Sequence, residues 1–175
     1  SGPAWDYALF YIPYALYQHS GETECIRLVY PYCQRYLRYV QSLEENGTVC
    51  FGLPDWYPPK DMPNIRIASN RFSDSCFYYA MLERMRAMAH VLGFIEDEDE
   101  YNNQLLIVKQ AIRAAFIKGD SVDTDGQASL AMALYFDLVE GEEAAQIAKR
   151  LVKVIEEDNY RFKVGILGMK ALPNA

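Results

Sequence analysis

The chain has 175 residues with 17 Lys and Arg against 24 Asp and Glu, a formal charge of −7, and 51 % hydrophobic against 23 % charged residues. That balance describes one ordinary globular domain and excludes a disordered chain, and the acid excess without a concentrated basic patch excludes a nucleic-acid-binding face. No stretch reaches the roughly 18 apolar residues needed to cross a bilayer, so no membrane span is expected; no basic leader precedes Trp5-Asp6, and the setting leans cytoplasmic.

The segment Trp5 to Gln18, WDYALFYIPYALYQ, is apolar nearly all round, the mark of a buried helix, with Pro13 expected to kink it. After a turn at Ser20-Gly21, acidic Glu22 and Glu24 open a second helix reaching about Leu43. Its apolar positions Ile26, Val29, Tyr30, Cys33, Tyr36, Leu37 and Val40 fall on one face, and Pro31 is expected to bend it. Residues 46–73 hold Gly47, Gly52, Pro54, Pro58, Pro59 and Pro63 together with Trp56 and Tyr57, which predicts an ordered functional loop.

Asp74 is expected to cap a third helix through FYYAMLERMRAMAHVL to Leu92, ended by Gly93. The acidic run Glu96 to Glu100 opens a fourth, to about Ile117, where carboxylates favour the positive helix end. After a short acidic connector, Lys118 to Asp125, an apolar helix spans Gln127 to Leu138, Gly141-Glu142-Glu143 form a turn, and an amphipathic helix runs from Ala144 to Glu157. In each pair the first helix is the more apolar and the second the more charged. The reading is all-α: three consecutive αα-hairpins, each with an inner and an outer helix. The hairpin turns at Gly21, Gly93 and Gly141 are unevenly spaced, which disfavours a tetratricopeptide-type solenoid.

Chemistry is sparse. The four cysteines, Cys25, Cys33, Cys50 and Cys76, show no metal-binding spacing and are read as buried small hydrophobes in a reducing setting; with only His19 and His90 beside them, neither zinc nor any other cofactor is implied. Both histidines sit near helix C-termini and are read as structural. Asp120, Asp123, Asp125 and Gly126 suggest a calcium loop, but the register that seats Gly126 puts Ser121 first and Met132 where a bidentate Glu belongs. Asn46-Gly47-Thr48 is a glycosylation sequon, meaningful only in a eukaryotic secretory setting.

The inner helices are all entered at their N-terminal ends by loops, which gathers Trp5, Asp6, Asp55, Trp56, Asp74 and Gln127 on one face. Both tryptophans stand beside an aspartate, in W-D and D-W pairs. Indole offers apolar area to the C–H face of a sugar and carboxylate accepts from its hydroxyls. Set against this, both tryptophans fit as core residues at helix starts, and Asp6 and Asp74 fit as helix caps. Asp6 and Asp55 are candidates for a glycosidase carboxylate pair by placement alone.

At these residues the chain resembles the catalytic domain of bacterial α-L-rhamnosidases, glycoside hydrolase family 78. GPAWDYALFYIPYALYQHSGETE is similar to that family's segment of a Trp at a helix start, a Pro-aromatic step and a Tyr-x-x-x-Gly-Asp turn, with Glu22 where Asp is usual. LPDW (53–56) is similar to its Gly-Asp-Trp loop, with Pro54 in place of Gly. SDSCFYYAMLERMRAMAHVLGF and GQASLAMALYFDLV resemble its next two inner helices, and VGILGMKAL (164–172) the Gly-x-x-Gly opening of another unit. The resemblance implies about half of an (α/α)6 barrel, with Trp5 and Trp56 lining a rhamnose pocket and Asp55 at an acidic position beside it. It implies a parent that is an inverting glycosidase acting on a rhamnoside. Neither the acidic segment carrying the family's general acid nor the Glu serving as its base matches this chain, which alone is therefore expected to be inactive. A half-barrel leaves apolar inner helices uncovered, so self-association is expected. The alternatives are a non-catalytic helical scaffold binding protein or glycan, or another (α/α)6 carbohydrate enzyme.

Overall fold

The computed structural model describes residues 2–56 and 65–175. Its helices run in chain order as α1 (Pro3–Asp6), α2 (Ala8–Ser20), α3 (Glu24–Ser42), α4 (Asn70–Leu92), α5 (Ile95–Phe116), α6 (Gln127–Tyr135), α7 (Gly141–Glu157) and α8 (Ile166–Ala171), with a 3₁₀ turn at Leu172–Asn174. A two-stranded ribbon, β1 (Ile117–Lys118) and β2 (Ser121–Val122), pairs Ile117 with Val122 and separates α5 from α6. Helix α2 packs on α3, α4 on α5 and α6 on α7, while α2, α4, α6 and α8 contact one another in that order. Three hairpins thus stand side by side and α8 opens a fourth. These are the all-α hairpins expected from the pattern, in the part-barrel arrangement that the family resemblance implied.

Sequence chemistry sets the two layers. In α4 thirteen residues are buried, among them Phe72, Cys76, Met81 and Met88, and seven of the nine residues of α6 are buried, so these helices have neighbours on nearly every side. In α3 burial is confined to Ile26, Tyr30, Cys33, Leu37 and Val40, and in α7 to Ile147, Leu151 and Val154, the single stripe of a helix with one face in water. Gly21 and Gly93 end α2 and α4 in the left-handed conformation that glycine adopts without strain.

Several boundaries differ from the expectation, each for a visible reason. The first helix is divided at Tyr7, although helical dihedrals persist there (φ −55°, ψ −23°). Pro13 lies inside α2 and has no N–H for the Leu9 carbonyl; the Cys33 thiol donates to that oxygen instead, at 3.6 Å. Ser69, not Asp74, caps α4: its hydroxyl accepts from the Phe72 N–H at 3.3 Å, and Asp74 lies in the second turn of the helix. Helix α6 stops at Tyr135 because Asp137 turns left-handed (φ 50°), and Gly141-Glu142-Glu143, expected as a turn, form the first turn of α7.

All four cysteines are free, but only Cys33 and Cys76 are buried; Cys50 is exposed and Cys25 half-buried, against the expectation of four core positions. Burial holds the Cys33 thiol protonated, its pKa pushed up to about 12. Tyr57, Pro58, Pro59 and Pro63, which figured in the long-loop reading, lie outside the described residues. Among the described residues no group of His, Cys, Asp or Glu is arranged to hold a metal, and no helix is long and apolar enough to cross a membrane.

Candidate functional site

The N-terminal ends of α1, α4, α6 and α8 are gathered by loops that touch backbone to backbone. Gly2 sits against Gly52: a Cβ on Gly2 would lie 2.1 Å from the Gly52 Cα. Gly165 sits against Asp55: a Cβ there would lie 2.5 Å from the Asp55 carbonyl oxygen. These approaches join the chain start, the 50–56 loop and the start of α8.

The joint is fastened by Asp55. Its side chain is 1 % exposed, one carboxylate oxygen accepting from the Gly165 N–H at 2.8 Å, the other from the Leu167 and Gly168 N–H groups at 2.9 and 3.0 Å. The remaining first-turn amide, Ile166 N–H, donates to the Trp56 carbonyl at 2.9 Å. The leading N–H groups of a helix have no partner within it. Here all those at the start of α8 are satisfied by two residues some 110 positions earlier in sequence, and the negative carboxylate suits the positive helix end. Asp55 was expected beside the ligand; its carboxylate is instead spent on backbone, in the position of a cap supplied from a distance.

Trp56 follows directly and is 51 % exposed. Its ring meets Trp5 edge to face, centroids 6.4 Å apart and planes at 76°. The Trp5 indole N–H is buried and has no hydrogen-bond partner among the described residues. The two tryptophans of the chain are therefore neighbours, as their common placement at loop ends implied, and one is open to solvent.

The other expected residues divide. The Asp6 carboxylate accepts from the Gly2 N–H at 3.1 Å and the Tyr36 hydroxyl at 2.5 Å; burial, then this bond to a carboxylate, pushes the Tyr36 phenol above its usual range. Asp74 accepts from the Phe51 and Gly52 N–H groups at 2.8 and 2.7 Å, so it fastens the 50–56 loop to α4 from within the helix. Burial pushes the Asp74 carboxyl above the usual carboxylate range, against the two amides that pull it down. Gln127 donates to Asp158 and to the Arg161 carbonyl at 2.8 and 2.9 Å and accepts from the Lys163 N–H, tying α6 to the segment before α8. Asp55, Asp74 and Gln127 thus build the frame, and the tryptophans present the surface. Asp123 and Asp125 are also structural: Asp123 accepts from the Ser69 N–H and the Ser129 hydroxyl, while Asp125 pairs with Arg150 and Arg66.

Sequence reading missed the basic residues near this frame. Arg84 and Lys170 lie among tyrosine rings from α2 and α6, and the only signal is compositional: 14 of the 175 residues are Tyr.

All 175 residues match the family model described as the bacterial alpha-L-rhamnosidase 6 hairpin glycosidase domain. An alpha-L-rhamnosidase of Alteromonas sp. (strain LOR) is 26 % identical over 96 % of this chain and 19 % of its own length. Among solved structures, the alpha-L-rhamnosidase from Dictyoglumus thermophilum superposes with a TM-score of 0.91 at 22 % identity, covering 99 % of this chain and 20 % of that one. The Streptomyces avermitilis alpha-L-rhamnosidase, solved in complex with L-rhamnose, superposes with a TM-score of 0.85 at 23 % identity, covering 95 % and 16 %. At these identities the structural likeness establishes the fold. The chain spans about a fifth or less of the length of each relative.

Proposed function

The chain belongs to the bacterial α-L-rhamnosidase six-hairpin glycosidase family, and from that premise we propose that it forms part of the catalytic domain of an inverting α-L-rhamnosidase that releases terminal rhamnose. The observation that carries the reading is the edge-to-face pair of Trp5 and Trp56 where the hairpins begin, with Trp56 half open to solvent. Indole faces suit the apolar C–H side of a sugar ring. Asp55 acts through its neighbour: by fixing the start of α8 against residues 55–56 it positions Trp56.

An inverting glycosidase needs one carboxylic acid to protonate the leaving oxygen and one carboxylate to activate water. Asp55 and Asp74 are buried and committed to backbone amides, and Asp6 to Gly2 and Tyr36. In this reading the acid and the base come from family segments that these 175 residues do not match, and the chain alone is inactive. The test is hydrolysis of a panel of aryl glycosides, α-L-rhamnoside included, by the chain alone and by the chain joined to its family-type flanking segments. The expected result is rhamnoside turnover by the longer protein only, reduced about a hundredfold by Trp56→Ala through lost sugar positioning. Turnover of a different sugar would keep the barrel and sink the substrate; no turnover by a folded longer protein would favour a binding scaffold.

The part-barrel self-associates when isolated. Ile12 and Leu16 of α2 and Ile166 and Met169 of α8 are 43–54 % exposed on helices of the inner layer, and apolar surface of this kind drives association. Light scattering is expected to give a dimer or larger for the chain and a smaller species for Ile12→Glu/Leu16→Glu; a monodisperse wild-type monomer would remove this part of the reading.

A further inference from the structure

Lys170, in the last turn of α8, places its ammonium 4.9 Å from the ring centre of Tyr11, 5.5 Å from Tyr7 and 6.0 Å from Tyr135. Arg84, from the middle of α4, stacks its guanidinium 4.4 Å from the centre of the Tyr14 ring and directs one Nη toward the Tyr7 hydroxyl at 3.4 Å. Four consecutive inner-layer helices, α2, α4, α6 and α8, thus converge on two cations. Neither makes an ion pair within 4 Å with a carboxylate among the described residues; Glu83 acts on Arg84 only through space. The Arg84 Nε–H is buried and has no partner among the described residues. Burial and then the neighbouring Arg84 charge pull the Lys170 ammonium below the usual lysine range.

An idle buried donor on one of two neighbouring like charges is costly unless an anion completes it. The geometry favours a particular kind of anion. Guanidinium and ammonium supply charge-assisted donors for a carboxylate, and the tyrosine rings around them, with Tyr11 44 % exposed, offer the apolar flank that a pyranose ring needs. We propose that Arg84 and Lys170, ringed by Tyr7, Tyr11, Tyr14 and Tyr135, form a seat for the carboxylate of an acidic sugar. Tyr7 follows Trp5 by two residues, and Lys170 is on the helix whose start Asp55 and Trp56 hold. The seat does not depend on rhamnoside hydrolysis, because binding is read directly.

The experiment is a titration of the longer protein, the chain joined to its family-type flanking segments, with D-glucuronate, followed by calorimetry and by the NMR resonance of the Lys170 Cε, with D-glucose and acetate as parallel probes. Glucuronate is expected to bind in the millimolar range and shift Lys170, with glucose and acetate each at least about tenfold weaker. Arg84→Met and Lys170→Met should each weaken glucuronate by about tenfold, the worth of one charge-assisted hydrogen bond, whereas Lys149→Met on α7 should leave it unchanged. Glucose or acetate binding as well as glucuronate would overturn the proposal. So would a Lys170 resonance that does not move in the wild-type longer protein, a readout that needs no variant to fold.

Discussion

Replacing Asp55 with Ala is expected to cost on the order of 4 kcal/mol of folding stability, because three buried amides at the start of α8 lose their acceptor at once and each unsatisfied donor costs about 1–3 kcal/mol. For a domain of this size that corresponds to a fall in melting temperature of roughly 10 °C. Asp55→Asn keeps one oxygen and turns an amide NH₂ toward backbone N–H groups, so about half the loss is expected from it. Asp120→Ala, on the exposed turn of the ribbon, serves as the control and should fall within about 0.5 kcal/mol of wild type. The chain has two tryptophans and both sit at this joint, so tryptophan emission, excited selectively over the 14 tyrosines, reports on it. D55A should red-shift the emission as Trp56 loses its seat. A thermal melt within about 2 °C of wild type, with emission unchanged, would show that the carboxylate is dispensable.

The second large effect is expected at the other side of the same joint. Gly2 has φ 97° and ψ 173°, a region that only glycine enters without strain, which costs about 1–3 kcal/mol for other residues. A methyl group there would also overlap the Gly52 Cα at 2.1 Å, and that neighbour is backbone and cannot swing aside. Overlap of this kind adds about 1–3 kcal/mol. Gly2→Ala should therefore lose about 3 kcal/mol or more and loosen the 50–56 loop with it. Gly21→Ala gives the cost of a positive φ without any clash, in the milder left-handed region, because Gly21 has φ 75° with nothing within 4 Å of the missing Cβ; about 1 kcal/mol is expected from it. Urea unfolding of the two variants separates the terms, and equal losses would mean that the Gly2–Gly52 contact yields freely.

Much of this architecture was legible because it is written at short range. The stripes of α3 and α7 repeat every three to four residues, and the expected face of α3 is the buried or half-buried one. The glycines that end α2 and α4 were equally plain. Errors arose where a distant partner decides. Asp74 reads as a cap because carboxylates cap helices, yet its partners Phe51 and Gly52 lie more than 20 residues back, on a loop whose path the local pattern does not describe. The break after Tyr135 depends on one left-handed aspartate, Asp137, in a run that stays apolar through Val139. At the candidate site the tryptophan pair was foreseeable from two W/D steps at loop ends. The role of Asp55 was not, because its ligands are main-chain atoms 110–113 residues away and leave no side-chain signature. Arg84 and Lys170 escaped notice because a basic residue on a helix is ordinarily a solvated one.

The distance spanned by Asp55 also imposes an order on how the molecule comes together. Each hairpin joins neighbours in sequence, a contact formed early and at small loop-closure cost. The link from residue 55 to residues 165–168 encloses all of α4 to α7, and it closes only once those helices have docked. During synthesis Asp55 and Trp56 emerge long before the amides they serve. The seat of Trp56 is therefore among the last features to set, and it waits on the beginning of the next hairpin. This hairpin boundary is thereby a checkpoint: the tryptophan-bearing surface of one unit becomes rigid only when the following unit has arrived to accept it.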